Sequence, residues 1–262
     1  MTENIENINN DLTLNAFFGN LDGVKYLLEN GANINGKDDG GDTALICASS
    51  MGNFKMVKYL VENGANIEKG DKKGWTPLIW ALKKGYLEIV KYLVEKVENI
   101  NEKNKYIDTA LMMALKDGKL DATKYLIEKG ADINTKDKNN GLTPLIWASK
   151  VGNLELLEYL LENGANINDQ DNNGWTALMY ALDISNSLKI EKPLSESEED
   201  IIANNNGWTT SKWDLFKHNV KLVEYLIKNG AKVNIKNKEG KTALDLAENK
   251  DIKKLLEKAM GK

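Results

Sequence analysis

Residues 141–168 read GLTPLIWASKVGNLELLEYLLENGANIN, and their chemistry dictates two short helices joined by a turn. The Thr143 hydroxyl can accept from an unpaired N–H at a helix start, and Pro144 loses no hydrogen bond at the first helical position. A helix is therefore expected from about Pro144. Leu145, Ile146, Trp147 and Ala148 load it with apolar groups, and Gly152 then permits a tight turn that a Cβ would resist. Beyond it, Leu154, Leu156, Leu157, Leu160 and Leu161 alternate with Glu155, Glu158 and Glu162 at helical spacing, leaving one wet face. Gly164 offers a left-handed stop, and the Ala-Asn-Ile-Asn and Asp-Asn-Asn-Gly that follow are turn formers. The unit reads helix, turn, helix, extended loop.

The close of this unit recurs along the chain. KYLLENGANIN begins at 25, KYLVENGANIE at 58, KYLVEKVENIN at 91, KYLIEKGADIN at 124, EYLLENGANIN at 158 and EYLIKNGAKVN at 224, in steps of 33, 33, 33, 34 and 66. One such unit has half a core and cannot offset an ordering cost of about 1.5 kcal/mol per residue. Stacked neighbours supply the other half, so the expected fold is an all-α repeat solenoid of stacked helix-turn-helix units with hairpin loops.

The register divides a single domain, 1–262, into an N-terminal cap repeat at about 9–35 and repeats at about 41–68, 74–101, 107–134 and 141–168. A repeat at about 207–234 and a C-terminal cap at about 240–262 complete it. The step of 66 leaves 174–206, which is either a degenerate repeat or an insertion inside one. Gly174 and Gly207 are each followed by Trp-Thr, and Ala177 to Leu182 makes a sound first helix. The stretch ISNSLKIEKPLSESEEDIIANNN has no matching second helix, carries Pro193, and holds a capping-box pattern at Ser195 to Glu198.

Thr-Pro-Leu-Ile-Trp-Ala stands at 76–81 and 143–148, and Thr-Ala-Leu at 43–45, 109–111, 176–178 and 242–244. These motifs resemble the T-P-L-H-x-A signature of the ankyrin-repeat family, with its histidine replaced by Ile46, Ile79, Met112, Ile146, Met179 and Asp245. The resemblance implies that hairpin tips and first helices line one concave groove where a partner binds.

Composition excludes several function classes. The formal net charge is −4 and all 35 basic residues are lysine, without a Lys-rich block, so no nucleic-acid footprint is expected. No apolar run reaches the roughly 18 residues of a membrane span, and the polar MTENIENINN start is no secretory signal. The expectation is a cytoplasmic monomer without cofactor or metal. Its partner is a protein or peptide, and neither nucleic acid nor a membrane.

Candidates for chemistry are few. His218, the single histidine, aligns with Gly52, Gly85, Gly118 and Gly152 and is expected in a turn. Cys47 aligns with Trp80 and Trp147 and is expected to pack rather than act as a nucleophile. No phosphate loop, dinucleotide fingerprint or Cys/His cluster is present. The acidic run Glu196, Glu198, Glu199, Asp200 lacks the alternating ligands and glycine of a calcium loop. The tyrosines 26, 59, 92, 125, 159 and 225 are the same in every copy and are expected to stack between repeats.

Function should lie where the copies vary. The most variable position is the hairpin tip between Gly and Thr: Asp42, Trp75, Asp108, Leu142, Trp175, Trp208 and Lys241. Tryptophan on a loop is typical of interface anchors, with mutual packing of Trp175 and Trp208 as the competing reading. A second row, Trp80, Trp147 and Tyr180, lies in the first helices and serves wall and core together. Met51, Lys83, Lys84, Lys116, Asp117 and Lys150, at the ends of first helices, complete the expected rim. The reading is a non-catalytic protein-interaction module or adaptor. A secreted or host-directed effector using the same surface is the alternative, and an enzyme or an accessory subunit of one, with 183–206 as the site, is a third.

Overall fold

The computed structural model describes residues 2–101, 109–187 and 210–261, with side chains over 8–101, 109–184 and 217–261. It forms two compact bodies, Met1–Asp132 and Ile133–Lys262. In the first, the first helices Thr2–Phe18, Ala44–Ser50, Pro77–Lys84 and Ala110–Lys116 pack in sequence. Behind them lie the second helices Leu21–Glu29, Phe54–Glu62, Leu87–Val94 and Leu120–Glu128. The N-terminal helix begins at Thr2, well before the expected cap repeat. In the second body, Pro144–Lys150, Ala177–Ser187 and Ala243–Leu246 form the inner row, and Leu154–Glu162, Thr210–Lys228 and Lys250–Ala259 the outer one.

Local chemistry sets these boundaries. Thr43, Thr76, Thr109, Thr143, Thr176 and Thr242 each accept from the N–H three residues on, at 3.3–3.4 Å. That third position is where the family signature has histidine. Ile46, Ile79, Met112, Ile146 and Met179 are buried there, so the apolar replacements convert a polar tie into core. Asp245 instead closes a capping box, accepting from both the N–H and the hydroxyl of Thr242. The leucine after five of the six repeated tyrosines, at 60, 93, 126, 160 and 226, is buried and fixes which face of the second helix turns inward; Leu27, after Tyr26, is half-buried.

The turn between helices needs a residue that accepts positive φ. Gly52, Gly85, Gly118 and Gly152 supply it, with φ of 76°, 81°, 65° and 71°. His218 occupies the aligned position and was expected to turn the chain. It does not: Thr210–Lys228 runs as one helix through it. With no glycine to leave the right-handed region, helix continuation wins. The imidazole is half-buried and its Nε2 lies 2.8 Å from the Gly152 carbonyl oxygen.

Successive repeats are stapled by the last asparagine of the recurring phrase. Asn35 accepts from the Asn66 N–H at 2.7 Å and donates to the Gly64 carbonyl at 3.4 Å. Asn101 does the same with Asp132 and Gly130, and Asn134 with Asn166 and Gly164. Where Glu68 replaces the asparagine, its carboxylate still accepts from the Glu98 N–H but has no proton for a carbonyl. Val97 stands there in place of the usual glycine.

The same staple spans the irregular region. Asn168 accepts from the Lys232 N–H at 2.8 Å and donates to the Gly230 carbonyl at 3.4 Å. Those partners lie 64 and 62 residues away, where the other staples span 29 to 32. The Lys238 N–H likewise bonds the Asn173 carbonyl of the preceding hairpin, and Ala177–Ser187 packs directly on Thr210–Lys228. The two helices are thus neighbours in space, with residues 188–209 between them in sequence.

Removing one staple gives a measurable loss. Asn168→Ala deletes both bonds and is expected to lower stability by about 1–2 kcal/mol in urea unfolding. A change below about 0.3 kcal/mol would show that the staple contributes nothing to cohesion.

Candidate functional site

The hairpin tips are built on one acidic or amide side chain, buried at Asp137, Asp171 and Asn237 and half-buried at Asp38 and Asp71. Asp38, Asp71, Asp137, Asp171 and Asn237 each accept, through Oδ1, the N–H of the tip residue: Asp42, Trp75, Leu142, Trp175 and Lys241 respectively, at 2.8–2.9 Å. The backbone N–H of each of these five bonds back to the tip residue's carbonyl. The only named strand-like pairing among the described residues is the isolated antiparallel bridge Lys37–Thr43. These five residues escape a search for chemistry because they look like ordinary turn formers. Their signal is recurrence four or five positions before the tip.

In two hairpins the second carboxylate oxygen organises an aromatic pair. Asp71 Oδ2 accepts from Trp80 Nε1 at 3.2 Å, and Trp75 packs against Trp80 with centroids 5.0 Å apart. Asp171 Oδ2 accepts from the Tyr180 hydroxyl at 2.8 Å, and Trp175 packs against Tyr180 at 5.1 Å. Burial first, and then this carboxylate, push the Tyr180 phenol well above the usual tyrosine range. The Lys150 ammonium sits 5.3 Å from the Tyr180 ring centroid. Each body thus carries a half-exposed aromatic pair whose inner member is held by an anionic bracket.

The remaining expected residues divide. Asp42 and Trp147 are half-buried, and Met51, Lys83, Lys84 and Lys150 are exposed. Lys83 pairs with Asp117 at 2.8 Å across adjacent repeats, so two rim residues neutralise each other. Lys116 is half-buried. Leu142 is a correction: it is 1% exposed and offers no side chain to a partner, because an aliphatic tip folds into the core. Asp108, Trp208 and the acidic run 196–200 lie outside the described residues.

The repeated tyrosines join neighbouring repeats through mixed contacts. The Lys25 ammonium lies 5.7 Å from the Tyr59 ring, Phe54 meets Tyr92 edge-on, and Lys91 lies over Tyr125, whose hydroxyl donates to Glu95. Metal-ligand types converge once among the described residues, where Asp38, Asp42 and Cys47 have ligand atoms within 4.8 Å of one another. Burial, then Asp42 and Asp38, raise the Cys47 thiol to about 12, so it is protonated at neutral pH. Among the described residues no helix is long and apolar enough to cross a membrane.

The family model for ankyrin repeats (3 copies) matches residues 12–104, 69–137 and 111–205, most of the chain. The chain belongs to the ankyrin-repeat family. Among solved structures, the ankyrin repeat domain of Bcl-3, described as a unique member of the IkappaB protein family, matches this ankyrin-repeat chain with a TM-score of 0.75. That match covers 94% of this chain and 97% of that one at 23% identity, and it shows the fold alone. Comparison with curated proteins returned no match.

Proposed function

We propose that this ankyrin-repeat protein is a non-catalytic interaction module that binds a protein or peptide partner through its hairpin tips and first helices. The observation that carries the reading is the twice-built aromatic bracket, Trp75–Trp80 on Asp71 and Trp175–Tyr180 on Asp171. A ring fixed in place before binding loses little rotamer entropy on contact, which is what makes tryptophan and tyrosine effective anchors. The brackets also use carboxylates that a hydrolytic or proton-transfer site would need free. Mixed rim charges, with Lys84 and Lys150 exposed beside them, suit a polar periphery around an aromatic centre.

The test is affinity capture with the wild-type chain and a Trp75→Ala, Trp175→Ala double variant whose helicity is checked by circular dichroism. A partner held by wild type should bind the folded variant more than about tenfold more weakly. Equal capture by both would remove the aromatic brackets from the binding surface.

A further inference from the structure

The first hairpin lacks the aromatic donor found in the Asp71 and Asp171 hairpins. At Asp71 and Asp171 the second carboxylate oxygen is met by Trp80 or Tyr180. The aligned residue at the first hairpin is Cys47, whose short side chain and weak S–H donor leave Asp38 and Asp42 facing open space. The Asp38 carboxylate accepts from the Asp42 N–H, a backbone bond that leaves its charge uncompensated.

That space is a cleft of about 460 Å³ in the first body, between the N-terminal helix and the first hairpin. Its helix wall is apolar and wet: Leu14 is 54% exposed, Phe17 40% and Phe18 73%. The two phenylalanines hold each other edge to face at 5.3 Å. Gly19 and Gly52 align the repeats, so Leu14, Phe17 and Phe18 stand where later repeats carry Trp80, Lys83 and Lys84. The opposite wall is anionic, with Asp38, Asp39 and Asp42, and Asp11 adds a fourth carboxylate from the helix. Two lysines stand by: Lys37 Nζ donates to the Gly70 carbonyl, and Lys72 Nζ to the backbone carbonyl of Asp39 in the wall itself. The Asp42 carboxyl stays above the usual range, first through burial and then through Asp38 and Asp71, despite both lysines. The lining thus sets the carboxylates of Asp11, Asp38, Asp39 and Asp42 against the two nearby lysines, Lys37 and Lys72, which leaves its field negative.

We propose that this cleft takes a segment of a partner protein in which an apolar side chain is flanked by lysine or arginine. The apolar group lies on Phe17 and Phe18, and the cation enters beside Cys47 to meet Asp38 and Asp42. This rests on the interaction-module reading above and gives the partner's chemistry at one end of it. The pairing is charge complementarity over an apolar floor, a combination that gives both steering and anchorage.

The test uses short fluorescein-labelled peptides with a central Phe flanked by Lys, by Ala or by Glu, read by fluorescence anisotropy on the full chain. Lys-flanked peptide should bind at least about tenfold tighter than Glu-flanked peptide and weaken as salt rises. Asp42→Asn, which keeps the backbone bond to Asp38, and Phe18→Ser, at an exposed position, should each weaken it by about fivefold or more. Equal binding of Lys- and Glu-flanked peptides, or unchanged binding to both variants, overturns the proposal. So does self-association in sedimentation velocity that Phe18→Ser abolishes, because a second copy would then be the occupant. Loss of captured partner in the tryptophan double variant, with no lysine preference among peptides, would sink this proposal and leave the interaction module standing. A lysine preference with no effect of the tryptophans would do the reverse to the aromatic anchors.

Discussion

Asp171→Ala is expected to lower the stability of the C-terminal body by about 3–5 kcal/mol, the largest effect of any single hairpin substitution. The carboxylate is 7% exposed and accepts from the N–H groups of Asn173 and Trp175 and from the Tyr180 hydroxyl, all at 2.8 Å. Truncation strands three donors at once, and each buried donor left without a partner costs about 1–3 kcal/mol. The total falls below the full sum because Trp175 and Tyr180 are only half-buried and water can reach part of the gap. Tyr180→Phe removes one bond and leaves two, so it should cost about 1 kcal/mol. A second readout separates the bracket from general damage. Burial and Asp171 together raise the Tyr180 phenol, so its ultraviolet titration should move to lower pH in Asp171→Ala as the carboxylate contribution disappears. Unfolding curves of Asp171→Ala and wild type that superimpose would refute the bracket as a stabilising element.

The parts of this fold that were legible in sequence are those fixed by local chemistry. The Thr caps, the Pro144 start and the glycine turns depend on residues within one turn of each other, and they stand where the sequence puts them. Burial of Leu60, Leu93, Leu126 and Leu160 follows from helical spacing alone. What was not legible depends on partners well beyond one helical turn. Asn35 and Asn168 look like turn formers until the next repeat lies beside them, when each becomes an inter-repeat staple. Asp71 and Asp171 look like turn residues until a ring nine positions on reaches back. The position of His218 was correct in register and wrong in conformation, because alignment transfers a location without the glycine that made the turn possible. Leu142 failed as a surface candidate for a local reason: its hairpin is one residue longer, five positions from Asp137 where Trp75 and Trp175 stand four from Asp71 and Asp171, and its side chain is buried where theirs are half-buried.

Gly174→Ala is expected to cost about 2–4 kcal/mol, and it bears directly on the step of 66 in the repeat register. Gly174 has φ of +77°, which an L side chain tolerates at a penalty of about 1–2 kcal/mol. A Cβ there would also stand 3.0 Å from the Asn237 Cα and 3.1 Å from the Lys238 nitrogen, backbone atoms that cannot swing aside. The two hairpins are locked at that point, since the Lys238 N–H bonds the Asn173 carbonyl and Gln170 Nε2 bonds the carbonyls of both Gly174 and Lys236. Gly240→Ala is the matched control, with φ of +78° and nothing within 4 Å of its Cβ position. It should therefore show the left-handed penalty alone. The excess of Gly174→Ala over Gly240→Ala, read from urea midpoints at equal slope, reports contact between hairpins whose glycines are 66 residues apart. If a complete repeat stood between them, Gly174 would face residues near 207 and the Asn237 collision would vanish. Equal losses in the two variants would thus restore the degenerate-repeat reading of 174–206. A clear excess requires that Ala177–Ser187 and Thr210–Lys228 be the paired helices of one repeat, with the intervening residues as an insertion that leaves the stack's hydrogen-bond ladder unbroken.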